Sequence, residues 1–175
     1  FEQHVKTARG RRGLEMIPEW YEVPVFYFSN ANALQVTGEP LVAPPDGEWL
    51  DFELEVGCVI GRQCRDVDPA DVSDVVLGYC VLNDWSLRDV QRQEMRVGLG
   101  PAKGKDFSTG VGPRLVPAAA LADRAKGKGF DLTMVARRNG VEISRGNWAD
   151  ISYSFGEMIA RASQGVTLHP GELIG

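Results

Sequence analysis

At 175 residues, with 43% hydrophobic and 25% charged residues, the chain can bury one ordinary core, and this composition is that of a globular protein and excludes a disordered one. The net charge of −5 argues against nucleic acid as the main partner, because phosphate binding needs a basic face. No run of about 18 apolar residues and no charged, apolar, small-residue leader is visible, so neither a membrane partner nor a signal peptide is expected.

Residues 1–13 carry polar and basic spacing compatible with a short helix ended by Gly10 and Gly13. The basic run Arg9, Arg11 and Arg12 within it reads as a solvated loop or an anion clamp. Residues 18–45 turn aromatic and β-branched, with PVFYFS, NANAL, TGEP and APPDGE, and predict short strands and loops. The acidic segment that follows, from about Trp49 to Ile60, contains DFELEVG and alternates strictly. As a strand it sends Phe52, Leu54 and Val56 one way and Asp51, Glu53 and Glu55 the other. Glu53 and Glu55 then stand about 7 Å apart on one face, which fits either a solvent-facing polar edge or two ligands of a hard divalent ion.

DVDPADVSDVV predicts a short helix with Pro69 in an early turn, and residues 75–82 form a continuous apolar run that fits a buried strand. Asn83-Asp84-Trp85-Ser86 is expected to end that strand, with Asp84 as a helix N-cap or as a third carboxylate beside Glu53 and Glu55. From Trp85 to Met95 polar residues recur at helical spacing, and Arg88, Gln91 and Met95 share a face. VGLGPAKGKDFSTGVGP is too long for a simple turn, and such loops in compact domains are usually functional. It is not a phosphate loop, since Leu99 and Asp106 stand where that pattern needs Gly and Ser or Thr. Lys105 on this loop could stabilise an enolate or oxyanion near a metal, whereas Lys103 reads as solvated. Asn139-Gly140 between two alternating runs predicts a hairpin, and SFGEMIARA an amphipathic helix. The reading is one mixed, strand-dominated α+β domain over residues 1–175.

Cys58, Cys64 and Cys80 form neither an even set nor a CxxC pair, which points to a reducing cytoplasm and away from a thiolate zinc site. Histidine is the natural base near neutral pH, so His4 is a candidate general base or a surface residue, and His169 before Pro170 is read as structural. No GxSxG elbow supports a serine hydrolase.

In order along the chain, FEQHV, PEWYEVPVFYFS, LDFELEVGCVIG, GYCVLNDWSLRDVQRQEM, GPAKGKDFSTGVGP, SFGEMIARAS and TLHPGELIG resemble the fumarylacetoacetate hydrolase family. The resemblance implies a mixed β-sandwich roll whose mouth holds a divalent cation, Mg²⁺ foremost with Ca²⁺ or Mn²⁺ as alternatives, in a homodimer. It implies that Glu53, Glu55 and Asp84 bind the metal, with Thr109 and Lys105 at the same site and Lys105 also stabilising an oxyanion. His4 matches the histidine that activates water, Arg88 and Gln91 the helix facing a small oxo-acid substrate, with Gln91 also an oxyanion donor, and Tyr27 a substrate-contacting tyrosine. The implied reaction is hydrolysis of a carbon–carbon bond in a 1,3-diketo acid, with isomerase, decarboxylase, dehydratase or non-catalytic ligand-binding relatives as the alternatives. The chain departs from the pattern at Thr7, where one branch has the acid that pairs with the histidine, and at Met95, where a tyrosine is expected. Arg11 and Arg12 do not align with the family's arginine. Both ends read as cut, so the family's further aspartate and its C-terminal acid would fall outside this sequence.

Overall fold

The computed structural model describes residues 2–11 and 13–175, without the side chains of Gln3, His4 and Ala8. In chain order the elements are α1 (Glu2–Gly10), β1 (Leu34–Val36), β2 (Leu50–Ile60), β3 (Val76–Leu87), α2 (Arg88–Glu94), β4 (Thr109–Val111), β5 (Val116–Pro117), β6 (Ala125–Lys126), β7 (Gly129–Phe130), β8 (Thr133–Arg138), β9 (Val141–Asn147), α3 (Phe155–Ser163) and β10 (Leu173–Ile174). The protein is thus α+β and strand-dominated, with short helices. None of them is long and apolar enough to cross a membrane among the described residues. The chain sorts into two compact units, one of Phe1–Val25, Cys58–Gly78 and Pro117–Ile174, the other of Phe26–Gly57, Tyr79–Val116 and Gly175.

In the first unit, Ile159 and Phe155 on one face of α3 are buried, and Trp148 meets Phe155 and Phe130 edge-on at 5.9 and 4.8 Å. The helix begins at Ser154, whose hydroxyl accepts from the Glu157 amide at 3.1 Å while Glu157 reaches back to the Ser154 amide at 2.7 Å. This capping box satisfies two amides the helix leaves open. Gly156 lets the first turn lie on the Pro69 carbonyl, which a Cβ would approach to 2.9 Å. The expected helix at DVDPADVSDVV is a 3-10 helix over Pro69–Asp74, with Asp68 capping the Ala70 amide. The hairpin β8–β9 turns at Asn139 and Gly140, with φ of 51° and 80°, the positive pair a two-residue hairpin turn needs. At the end of β2, Cys58 and Val59 pair with β10.

In the second unit β3 lies between β4 and β2, and β1 runs parallel to β4. Two sequence expectations shift here. The aromatic run PVFYFS forms no strand, although it stays extended enough for Tyr27 and Ser29 to turn toward polar partners while Phe26 and Phe28 remain exposed. The apolar strand does not stop at Leu82: β3 continues to Leu87, because Asn83 and Asp84 pair with Gly110 and Thr109 of β4. Asp84 is therefore not an N-cap, and α2 starts three residues later than Trp85, behind Leu87 with no side-chain cap. Pairing with a neighbour overrides the polar composition of NDWS. Along β3 the face holding buried Cys80 and Leu82 turns polar at buried Asp84 and Ser86. One strand thus leads from an apolar core to a polar site.

Ser154→Ala removes the cap of α3 and should lower unfolding free energy by about 1 kcal/mol. A drop in the urea midpoint with unchanged cation binding is the expected result, because the cap lies in the first unit.

Candidate metal centre

Glu53 and Glu55 leave β2 on the same face, and Asp84 leaves the neighbouring β3. One carboxylate oxygen of each lies within 4.8 Å of the other two. Lys105 is 2% exposed, and its Nζ stands 2.7 Å from Asp84 Oδ2 and 3.0 Å from Glu53 Oε1. Arg88, at the start of α2, donates through Nη1 to Glu53 Oε1 at 2.6 Å and to Gln91 Oε1 at 3.1 Å. Its Nε donates to Asp51 Oδ2 at 2.8 Å. Tyr27 donates its hydroxyl to Asp84 Oδ2, and Lys105 Nζ lies 5.9 Å from the tyrosine ring centre. Thr109 is buried opposite Asp84 in the sheet register, with its hydroxyl 3.5 Å from that of Ser29.

Three carboxylates, those of Asp51, Glu53 and Asp84, thus pair with two cations, Lys105 and Arg88, and the Glu55 carboxylate stands within 4.8 Å of Glu53 and Asp84. If all are ionised, the cluster carries two negative charges more than its own cations neutralise. Burial works against the Glu53 charge, but Lys105 and Arg88 outweigh it and hold Glu53 below the usual carboxylate range. Glu55 has no hydrogen-bond or ion-pair partner of this kind among the described residues. Burial, with the charges of Asp84 and Glu53 beside it, pushes its carboxyl up to about 7. Burial and the bond to Asp84 raise the Tyr27 phenol, which stays a donor. Burial opposes the Arg88 charge too, but its bonds to Asp51 and Glu53 outweigh that and push it up.

The donor set fits a hard divalent cation. Such ions prefer carboxylate oxygens, and a charge of two would cancel the surplus. Glu53, Glu55 and Asp84 would hold it, with Thr109 on the buried side. The second unit thereby gathers Tyr27, Glu53, Glu55, Asp84, Arg88, Gln91, Lys105 and Thr109. His4 falls on α1, and its side chain lies outside the described residues, as does Arg12 of the basic run. Of the rest of that run, Arg9 donates to the Glu15 carbonyl and Arg11 is exposed. Lys103 is exposed and pairs with Asp106. Arg88, expected on the substrate side of its helix, turns its guanidinium onto Asp51 and Glu53. Sequence reasoning missed Asp51, which the same alternation already placed on the face of Glu53, and Ser29, which lies two residues beyond Tyr27 in an extended run.

The family model described as Fumarylacetoacetate (FAA) hydrolase C-terminal matches residues 1–175. The chain belongs to the fumarylacetoacetate hydrolase family. It is 33% identical over 153 residues to the homoprotocatechuate catabolism bifunctional isomerase/decarboxylase of Escherichia coli, a match covering 87% of this chain and 34% of that protein. To the fumarylacetoacetase of Bos taurus it is 36% identical over 129 residues, covering 63% of this chain and 30% of that protein. The chain spans about a third of the length of these curated relatives. Its fold is similar to the crystal structure of 2-hydroxyhepta-2,4-diene-1,7-dioate isomerase from Mycobacterium marinum, with a TM-score of 0.70 and 31% identity over 86% of this chain and 56% of the other.

Because the carboxyl of Glu55 is raised in the folded state, its protonated form favours folding. That contribution is present below the ordinary value of 4.5 and is lost as pH rises through about 7. Cation-free Glu55→Gln, neutral at every pH, should therefore melt higher than the wild type at pH 8 and at the same temperature near pH 4. Thermal scans in a chelator read this difference, and added Mg²⁺ should stabilise the wild type at pH 8 but not the variant.

Proposed function

We propose that the chain binds a divalent cation, Mg²⁺ foremost with Ca²⁺ or Mn²⁺ as alternatives, and hydrolyses a carbon–carbon bond in a 1,3-diketo acid such as fumarylacetoacetate or an acylpyruvate. The observation that carries this reading is the convergence of Glu53, Glu55 and Asp84 within 4.8 Å, with more negative charge than Lys105 and Arg88 neutralise. When bound, the cation would polarise the dicarbonyl oxygens. Lys105 Nζ, buried and charged beside the same acids, donates to an oxygen on which negative charge grows, and the Gln91 amide joins it. The phenol of Tyr27, bonded to Asp84, would contact the substrate, while the guanidinium of Arg88 holds Asp51 and Glu53 in place. The family resemblance assigns the removal of a proton from water to His4, and the water oxygen adds to the acyl carbon. The electron pair of the broken carbon–carbon bond leaves with the other fragment, whose carbon is then protonated, so one acid and one ketone result.

A second reading is supported by the match to the isomerase/decarboxylase, at 33% identity over 87% of this chain. The same acids and Lys105 would serve proton shift or loss of carbon dioxide in a 2-oxo acid, with no water added. The partner beyond the substrate is a second copy of the chain, a reading that exposed, edge-stacked Phe26 and Phe28 favour. The three free cysteines fit a reducing cytoplasm.

Glu53→Gln should weaken Mg²⁺ binding by more than about 100-fold in isothermal titration calorimetry and remove turnover with it. An unchanged Mg²⁺ affinity would sink the assignment. Turnover of an acylpyruvate without loss of carbon dioxide from oxaloacetate supports the hydrolase; the reverse pattern supports the second reading.

A further inference from the structure

The loop that carries Lys105 is tied to α2 by a carboxylate the proposed chemistry does not use. Glu94, the last residue of α2, accepts from three successive amides: Lys103 at 2.6 Å on Oε1, and Ala102 and Gly104 at 2.9 and 3.1 Å on Oε2. A carboxylate in the last turn of a helix is ordinarily disfavoured by the helix dipole. Here three converging N–H groups offset that, since hydrogen bonds to a charged acceptor are the strong ones.

Two further contacts fix the same loop on the same helix. The Gly104 carbonyl accepts from the Leu87 amide at 2.8 Å. Gly104 also lies flat on the helix backbone, where a Cβ would come within 2.7 Å of the Gln91 nitrogen. The amides of Lys105 and Asp106 both donate to the Ala102 carbonyl, which closes the turn. Before this turn the chain passes through Gly98 and Gly100, at φ of 85° and 84°, after the amides of Met95, Arg96 and Val97 have bonded back to α2 carbonyls. Glu94 thus fastens to α2 the turn that leads into the buried lysine.

We propose that Glu94 is a positioning residue: by clasping the amides of Ala102, Lys103 and Gly104 it sets Lys105 Nζ against Asp84 and Glu53. The functional consequence rests on the oxyanion role given to Lys105 above, whereas the clasp itself does not. Without the carboxylate the turn keeps, among the described residues, only its bond to Leu87 on this side, and the lysine amine gains freedom to leave the acids. A displacement on the order of 1 Å at a reacting group costs about 100-fold in rate.

The test uses the full chain, as wild type, Glu94→Ala and Glu94→Gln. In metal-free protein, acylation of Lys105 by an N-hydroxysuccinimide ester is followed by peptide mass spectrometry, with exposed Lys126 and Lys128 of the other unit as internal references. Wild-type Lys105, at 2% exposure, should react slowly. Glu94→Ala should react at least about tenfold faster there with the references unchanged, and kcat on an acylpyruvate with Mg²⁺ should fall about 100-fold with KM little altered. Glu94→Gln, which keeps one carbonyl acceptor, should fall between. It carries the test if the alanine variant speeds the references as well, a sign of general loosening. Unchanged Lys105 labelling, or faster labelling with wild-type kcat, overturns the proposal. If instead the wild type turns over no 1,3-diketo acid, the hydrolase reading fails while the labelling still decides whether Glu94 holds the lysine.

Discussion

Negative charge gathered out of water is the constraint around which the second unit is arranged. Asp51, Glu53, Glu55 and Asp84 would repel one another strongly at this spacing if left alone in a half-buried site, since desolvation raises the cost of each charge and lowers the screening between them. Lys105 and Arg88 offset part of it, one driven deep between Asp84 and Glu53, the other laid across Asp51 and Glu53. Burial, with the charges of Asp84 and Glu53 beside it, pushes the Glu55 carboxyl up to about 7. A site in this condition is poised to take up positive charge from outside.

The neighbouring elements can be understood as ways of delivering these groups. β2 and β3 are adjacent, so an acid from each reaches the same space, and β3 changes from apolar to polar along one face as it enters it. β4 backs Asp84 with Thr109 through the register of the sheet. The Gly-rich loop bends back on α2 because Gly104 has no Cβ to collide with Gln91, and this close approach lets a long lysine side chain arrive fully buried. A residue with any side chain at position 104 would have to lift the loop, and the lysine with it.

Arg88 illustrates how one residue can be legible in kind and not in orientation. Its place on a helix beside Gln91 follows from spacing, and both do share a face, with a hydrogen bond between them. That the guanidinium turns onto Asp51 and Glu53 follows from where β2 lies in space. It makes Arg88 a regulator of the charge on Glu53 as much as a group available to a substrate.

Much of the fold could be read from local chemistry. Alternation marked β2, Asn139-Gly140 marked the β8–β9 hairpin, and Ser154 with Glu157 marked the start of α3, because each signal acts within a few residues. The acids on one face of β2 and the lysine on its glycine loop were legible for the same reason. The continuation of β3 through Asp84 was not, since it depends on pairing with β4 some 25 residues further along. Nor was the Glu94 clasp, where an ordinary surface acid becomes a fastener only once a loop eight residues away folds back onto it. The sequence by itself determined which donors and charges the site contains. Tertiary structure alone decided that they meet, how deeply they are buried and how much of their charge is left over, because those quantities depend on distances between segments that no local pattern encodes.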